Sequence, residues 1–97
     1  MNKLVGVARA KGGKFREAVA ATKAIAEHAK SKYGAKVDVY VQLFGPAGMI
    51  YVIIESEDLG SFQAIQSKMM ADEGYWALVQ KAAEVSDPPT IALLQPV

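Results

Sequence analysis

The chain has no cysteine and only one histidine, His28, among its 97 residues. Without thiols there is no disulfide, no thiolate nucleophile and no thiolate metal site. A lone histidine leaves a Ser–His type of nucleophile system one possible base. A transition-metal site would need His28 together with carboxylates from distant segments. Apolar residues make up 52% of the chain, yet no run approaches the roughly 20 residues of a membrane-spanning helix. Arg9, Lys11, Lys14 and Arg16 interrupt the N-terminal region, so it does not read as a signal peptide. These absences lead to the expectation of a cytoplasmic protein with no metal, no other cofactor and no membrane partner. No stretch is low in complexity, and the length suits one domain, residues 1–97, with one core and not two.

Charge is unevenly spread. Residues 1–36 carry nine Lys/Arg against two acids, a net +7, whereas residues 37–97 carry two lysines against eight acids, a net −6. A basic half can attract an anion or nucleic acid. The plainer reading is that the two halves pack together, or across a dimer, and neutralise.

What the chain does have is an alternating apolar pattern. Val37–Phe44 and Met49–Glu55 flank Gly45-Pro-Ala-Gly48 and read as a hairpin closed by a four-residue turn. That register sets Leu43 opposite Ile50, Val41 opposite Val52 and Val39 opposite Ile54. One face is then wholly aliphatic. The other carries Tyr40, Gln42, Phe44, Met49, Tyr51 and Ile53, with Asp38 and Glu55 at the far end. This second face is too apolar for water and more polar than a sealed core. The chain is too short to cover both faces, so a second copy is expected over the second one.

The remaining elements follow from period and punctuation. Lys3–Ala10 reads as a strand with small Gly6, Ala8 and Ala10 on one parity, a flat face that admits a close backbone or a ligand. Gly12-Gly13 turns it into a helix from Lys14 to about Lys32, with Phe15, Val19, Thr22, Ile25, Ala26, Ala29 and Tyr33 as the buried stripe. Gly34 suits its C-cap. Ser56 is a candidate N-cap for the next helix, with Leu59, Phe62, Ile65, Met69 and, at its end, Met70 as the buried stripe. Asp72 reads as the N-cap of a further helical piece, with Tyr75 or Trp76, Leu78, Val79, Ala82 and Ala83 on its buried side. Pro88-Pro89 ends it, and Thr90–Gln95 forms a last strand with the marks of a sheet edge. The expected fold is α+β and ferredoxin-like, βαββαβ, with the second helix split in two. Right-handed crossovers give a four-stranded antiparallel sheet in the order 4-1-3-2, with the helices on one face.

The stretch Ile53-Ile-Glu-Ser-Glu-Asp-Leu-Gly-Ser-Phe62, followed by Met69-Met-Ala-Asp-Glu-Gly-Tyr-Trp-Ala-Leu78, resembles the dimeric α/β-barrel superfamily. NIPSNAP-like proteins and antibiotic-biosynthesis-type monooxygenases belong to that superfamily. Its members share a third strand ending in an acid, an Asp-Leu-x-x-aromatic helix start and a break before a second helical piece. The resemblance covers most of the chain by topology and residues 53–78 by motif, and such motifs speak for fold more than activity. It implies homodimers paired sheet face to sheet face. It also implies an apolar cavity between the helices and the sheet for an aromatic or polyketide-like substrate; if the chain is an enzyme, a cofactor-independent oxygenase or an isomerase is the expected class. Some relatives bind haem, for which His28 is the only ligand by type.

Candidate site residues fall in three groups. Tyr40, Gln42 and Tyr51, with Arg9 nearby, are the polar tips of the sheet, able to orient a substrate or to pair across a dimer. Phe62, Met69 and Trp76, with Tyr75 and Met70, could line an apolar pocket, although such a stripe is more commonly plain core. His28 lies about 120° from the buried stripe of its helix, a flanking position from which it is a candidate base, with Tyr51 the other catalytic candidate. Ala10-Lys-Gly-Gly-Lys14 lacks the spacing of a phosphate loop and reads as a tight turn. Glu55, Glu57, Asp58, Asp72 and Glu73 sit at helix starts, where capping explains them. The first strand lacks the aromatics of an RNA-binding sheet, so nucleic acid is not an expected partner. The sequence thus describes a homodimer that binds, and on the enzymatic reading modifies, a small hydrophobic molecule. The alternative is a non-enzymatic interaction module with a filled core.

Overall fold

The computed structural model describes residues 1–97. Its elements in order are β1 (Asn2–Arg9), α1 (Phe15–Tyr33), β2 (Lys36–Val41), β3 (Met49–Ser56), α2 (Leu59–Met70), α3 (Glu73–Val85) and β4 (Thr90–Leu94). The sheet is open, antiparallel and ordered β2-β3-β1-β4, the strand order expected for a ferredoxin-like α+β fold. No helix is long and apolar enough to cross a membrane.

The caps show why the helices stop where they do. Gly34 takes a left-handed φ of 67° and its N–H reaches back to the last turn of α1, as expected of a glycine C-cap. Asp72 caps α3 by accepting from the Gly74 N–H at 2.9 Å. The cap of α2 is Asp58, which accepts from the Ser61 N–H at 2.8 Å, and not Ser56. Ser56 is still paired with Asn2 as the last residue of β3, so its backbone is committed to the sheet.

The hairpin register differs from the expected one by two residues. Val41 faces Ile50, Val39 faces Val52 and Val37 faces Ile54. A shift of two keeps every side chain on its face, whereas a shift of one would invert them. The aliphatic face is therefore still the one beneath the helices. Val37 and Ile50 are buried there, Ile50 at 1% exposure. Ala26, Ala29, Ala35 and Val37 form its core, with Val39, Val52, Ile54 and Ile65 packed around them. The shift lengthens the loop, because β2 ends at Val41 and Gly45 and Gly48 both take positive φ. Leu43 and Phe44, expected in the strand, project from the loop at 83% and 90% exposure. Phe15, Leu59 and Met70, expected in buried stripes, are also exposed; the first two open their helices and Met70 closes α2, each at a helix end.

Only ten residues are buried, and the molecule is a slab of 38 × 35 × 18 Å. It consists of one sheet and one helical layer. The ion pairs Lys3–Glu55 and Lys32–Asp72 join the basic N-terminal half to the acidic remainder, with a His28–Asp72 hydrogen bond beside the second and Lys30–Glu27 within the basic half. Packing the two halves together thus brings opposite charges into contact.

Candidate functional site

On the face away from the helices, cross-strand partners run Val7–Tyr51–Tyr40 and Val5–Ile53–Asp38, while Lys3 and Lys36 both face Glu55. β4 adds Thr90, Ala92 and Leu94 to the same side. The Tyr51 hydroxyl donates to Gln42 Oε1 at 2.6 Å, and Gln42 Nε2 donates to the Pro46 carbonyl at 3.4 Å. The loop makes room for this amide. A Cβ on Gly45, whose φ is +99°, would stand 2.5 Å from Gln42 Nε2. Turn, glutamine and phenol are therefore one unit. Tyr40 stands beside it, 53% exposed.

On the other side of the sheet a second polar cluster gathers around Asp72, whose side chain is 6% exposed. Besides capping α3, it accepts from His28 Nε2 at 2.7 Å, from Lys32 Nζ at 3.2 Å and from the Tyr33 hydroxyl. His28, Lys32 and Tyr33 belong to the C-terminal turns of α1, so the cluster ties that end of the helix to the junction of α2 and α3. Hydrogen bonds from Tyr33 and then His28 hold the Asp72 carboxyl well below the usual carboxylate range. Burial, and then the bond to Asp72, push the Tyr33 phenol up to about 12. Such a pair stays phenol and carboxylate at neutral pH and does not exchange a proton there. A shallow depression beside it is lined by Lys32, Tyr33, Lys68 and residues 71–74.

The sheet separates the sequence candidates. Tyr40, Gln42, Tyr51 and Arg9 share the open face. His28, Phe62, Met69 and Trp76 belong to the helical layer behind it. Phe62 is buried, and Trp76 is half exposed with its indole N–H donating to the Met70 carbonyl at 3.0 Å. Burial raises the pKa of its edge-on neighbour Tyr75. His28, the candidate base, has its Nε2 taken by Asp72 and does not meet Tyr51. No group of three or more His, Asp or Glu side chains converges as metal ligands do.

The helix side of β1 is also open. Only the Val52 carbonyl oxygen, 4.0 Å away, approaches the place of a Gly6 Cβ. Its β4 neighbour Ile91, and Leu93 opposite Leu4, are exposed on that side.

The arrangement matches solved structures over the whole chain. A NIPSNAP domain protein of Burkholderia xenovorans superposes with a TM-score of 0.84 at 16% identity, over 100% of this chain and 95% of its own. The chain has the fold of the NIPSNAP domain proteins. A NIPSNAP family protein of Agrobacterium tumefaciens gives 0.83 at 14% identity, over 99% and 92%. An antibiotic biosynthesis monooxygenase gives 0.73 at 18%, over 100% and 99%. No protein-family model matches the chain, and no curated protein matches it in sequence.

Proposed function

We propose that the protein is a homodimeric small-molecule-binding protein whose copies pair through their open sheet faces and enclose a small hydrophobic or aromatic molecule. The observation that carries this is the open face itself. Val5, Val7, Tyr51, Ile53, Ala92 and Leu94 form a continuous apolar ground with the Tyr51–Gln42 pair at one end. β1 and β3 are about 26 Å long, β2 about 20 Å and β4 about 17 Å, so at a spacing of about 4.8 Å the four strands span roughly 430 Å² per copy. Two copies would bury about 850 Å² before side-chain relief adds to it, against the roughly 1,000 Å² that a specific interface needs. On the enzymatic reading, Tyr51, Tyr40 and Gln42 orient the substrate for cofactor-independent oxygenation or isomerisation. The monooxygenase named among the similar folds supports that class of chemistry.

A second reading places the ligand on the helix side, over Gly6 and next to exposed Ile91 and Leu93, where Phe62, Met69 and Trp76 would serve it. Amide chemical shifts during titration with 2-naphthamide separate the two. Open-face binding perturbs Val7 and Tyr51 and survives Gly6→Val. Helix-side binding is abolished by Gly6→Val and survives Tyr51→Phe. No perturbation on either side refutes ligand binding and leaves a dimer module with a filled core.

A further inference from the structure

We infer that the loop between β2 and β3 is a docking lip for a second copy of the chain, with Leu43 and Phe44 of each copy seated on its partner; this rests on the pairing of open faces proposed above. The lip stands on the open-face side. Gln42 turns its side chain to that face, where Oε1 accepts from the Tyr51 hydroxyl at 2.6 Å. The loop backbone rises to the same amide. Gln42 Nε2 donates to the Pro46 carbonyl at 3.4 Å, and the place of a Gly45 Cβ is 2.5 Å from that nitrogen. The base of the loop is closed by the Gln42 N–H on the Met49 carbonyl at 3.1 Å and the Ala10 N–H on the Gly48 carbonyl at 2.8 Å. The chain thus curls over one end of the open face and is tied at both foot and crest. On this fixed support Leu43 and Phe44 are held out in water, and a support already ordered loses little freedom on association.

A single exposed apolar side chain is ordinary on a protein surface. This pair differs in bordering a face that is itself apolar and short of the area a stable pair needs. The two sheets alone would bury about 850 Å², below the roughly 1,000 Å² of a specific interface. An aromatic side chain brings about 150–250 Å² to a contact, and a leucine about 100 Å². Burying Leu43 and Phe44 of both copies therefore carries the interface to about 1,350 Å² or more, inside the range of about 1,200–2,000 Å² for stable complexes. Charge also favours a second copy as the occupant. A two-fold pair sets each patch against the same patch, so any charge in it meets its like. Residues 41–54, which hold the loop and most of β3, carry none. Because the loop borders the Tyr51–Gln42 end of the face, the lips of the pair also wall that end of the space between the sheets.

The test is sedimentation equilibrium of wild type, the double variant Leu43→Ser/Phe44→Ser and the control Met70→Ser, joined to isotope-filtered NOE spectra of mixed labelled and unlabelled wild-type copies. The double variant should weaken the dimer by about a hundredfold or more. Met70→Ser removes an exposed methionine from the helical layer and should leave the dimer unchanged. The Phe44 ring should show NOEs to side chains of the other copy. A double variant that dimerises within about threefold of wild type, or a dimer whose Phe44 ring has no cross-copy NOE, overturns the lip and leaves the pairing of open faces standing. Equal weakening by Met70→Ser overturns it too, since the association would then be unspecific. A monomeric wild type at micromolar concentration overturns the pairing and this inference with it, and leaves the lip to a different partner. The NOE arm uses wild type alone, so it does not depend on how the variant folds.

Discussion

Replacing Gly45 by alanine should damage the Tyr51–Gln42 unit from three residues away, by two separable effects. The φ of +99° is one that a residue with a side chain adopts at a cost of about 1–2 kcal/mol. The new methyl also falls 2.5 Å from Gln42 Nε2, so the amide must shift, which is cheap in itself for the end of a flexible side chain. The shift is expected to cost the Tyr51 bond, a net contribution of about 1 kcal/mol. Against this, alanine stiffens the unfolded chain and returns about 0.4–1 kcal/mol. The net loss is about 1–2 kcal/mol, a fall in melting temperature of roughly 5–15 °C for a chain of this size. Thermal melts of wild type, Gly45→Ala, Gln42→Ala and the double variant separate the effects. In the Gln42→Ala background the bond and the obstruction are already gone, so Gly45→Ala should cost about 1 kcal/mol less there. Gly12→Ala is the control, because nothing lies within 4 Å of its Cβ and its φ is not positive. An identical cost for Gly45→Ala in both backgrounds would refute the link between loop and phenol.

Ile50 is the most completely buried large side chain, so Ile50→Ala should cost about 2–5 kcal/mol in denaturant melts. A loss below about 1 kcal/mol would show that the aliphatic face is not the packed one. Gly6→Ala meets only the Val52 carbonyl oxygen, at an ordinary contact distance of 4.0 Å, and should be neutral or stabilising by about 0.4–1 kcal/mol, as read from its melting temperature. The Asp72 cluster makes a pH prediction. Because the folded-state carboxyl titrates below its ordinary 3.8, its contribution is present above about pH 4 and fades as pH falls further. Tyr33, raised from 10.0 to about 12, contributes in the opposite sense, with its share intact below about pH 10 and lost as pH rises towards 12. Melting temperatures followed across pH should show Asp72→Asn flattening the acid limb and Tyr33→Phe the alkaline one.

The faces of the sheet were legible in the sequence because alternation with period two survives any even shift of register. The register itself was not. Leu43 and Phe44 have strand-like side chains, and nothing local shows that the chain leaves the ladder at Val41 to build a longer loop. The caps Gly34 and Asp72 were readable, since a left-handed C-cap and a carboxylate N-cap are local chemistry. The convergence of His28, Lys32 and Tyr33 on that same Asp72 was not, because its partners lie about forty residues away along the chain and meet it only through helix packing. Their one signal was spacing, with His28 and Lys32 four apart on a helix side that the buried stripe does not use. The division of the site candidates by the sheet was also hidden, since Tyr51 and Trp76 look alike as aromatic residues until the strands and helices are assembled.

Sedimentation equilibrium of wild type beside Val7→Lys is the most direct test, because Val7 lies in a central strand between Tyr51 and Thr90, with a parity that turns it away from the helices. Wild type should be a dimer at micromolar concentration and Val7→Lys a folded monomer. A wild-type monomer at that concentration, or a Val7→Lys dimer of unchanged strength, would contradict the pairing of open faces.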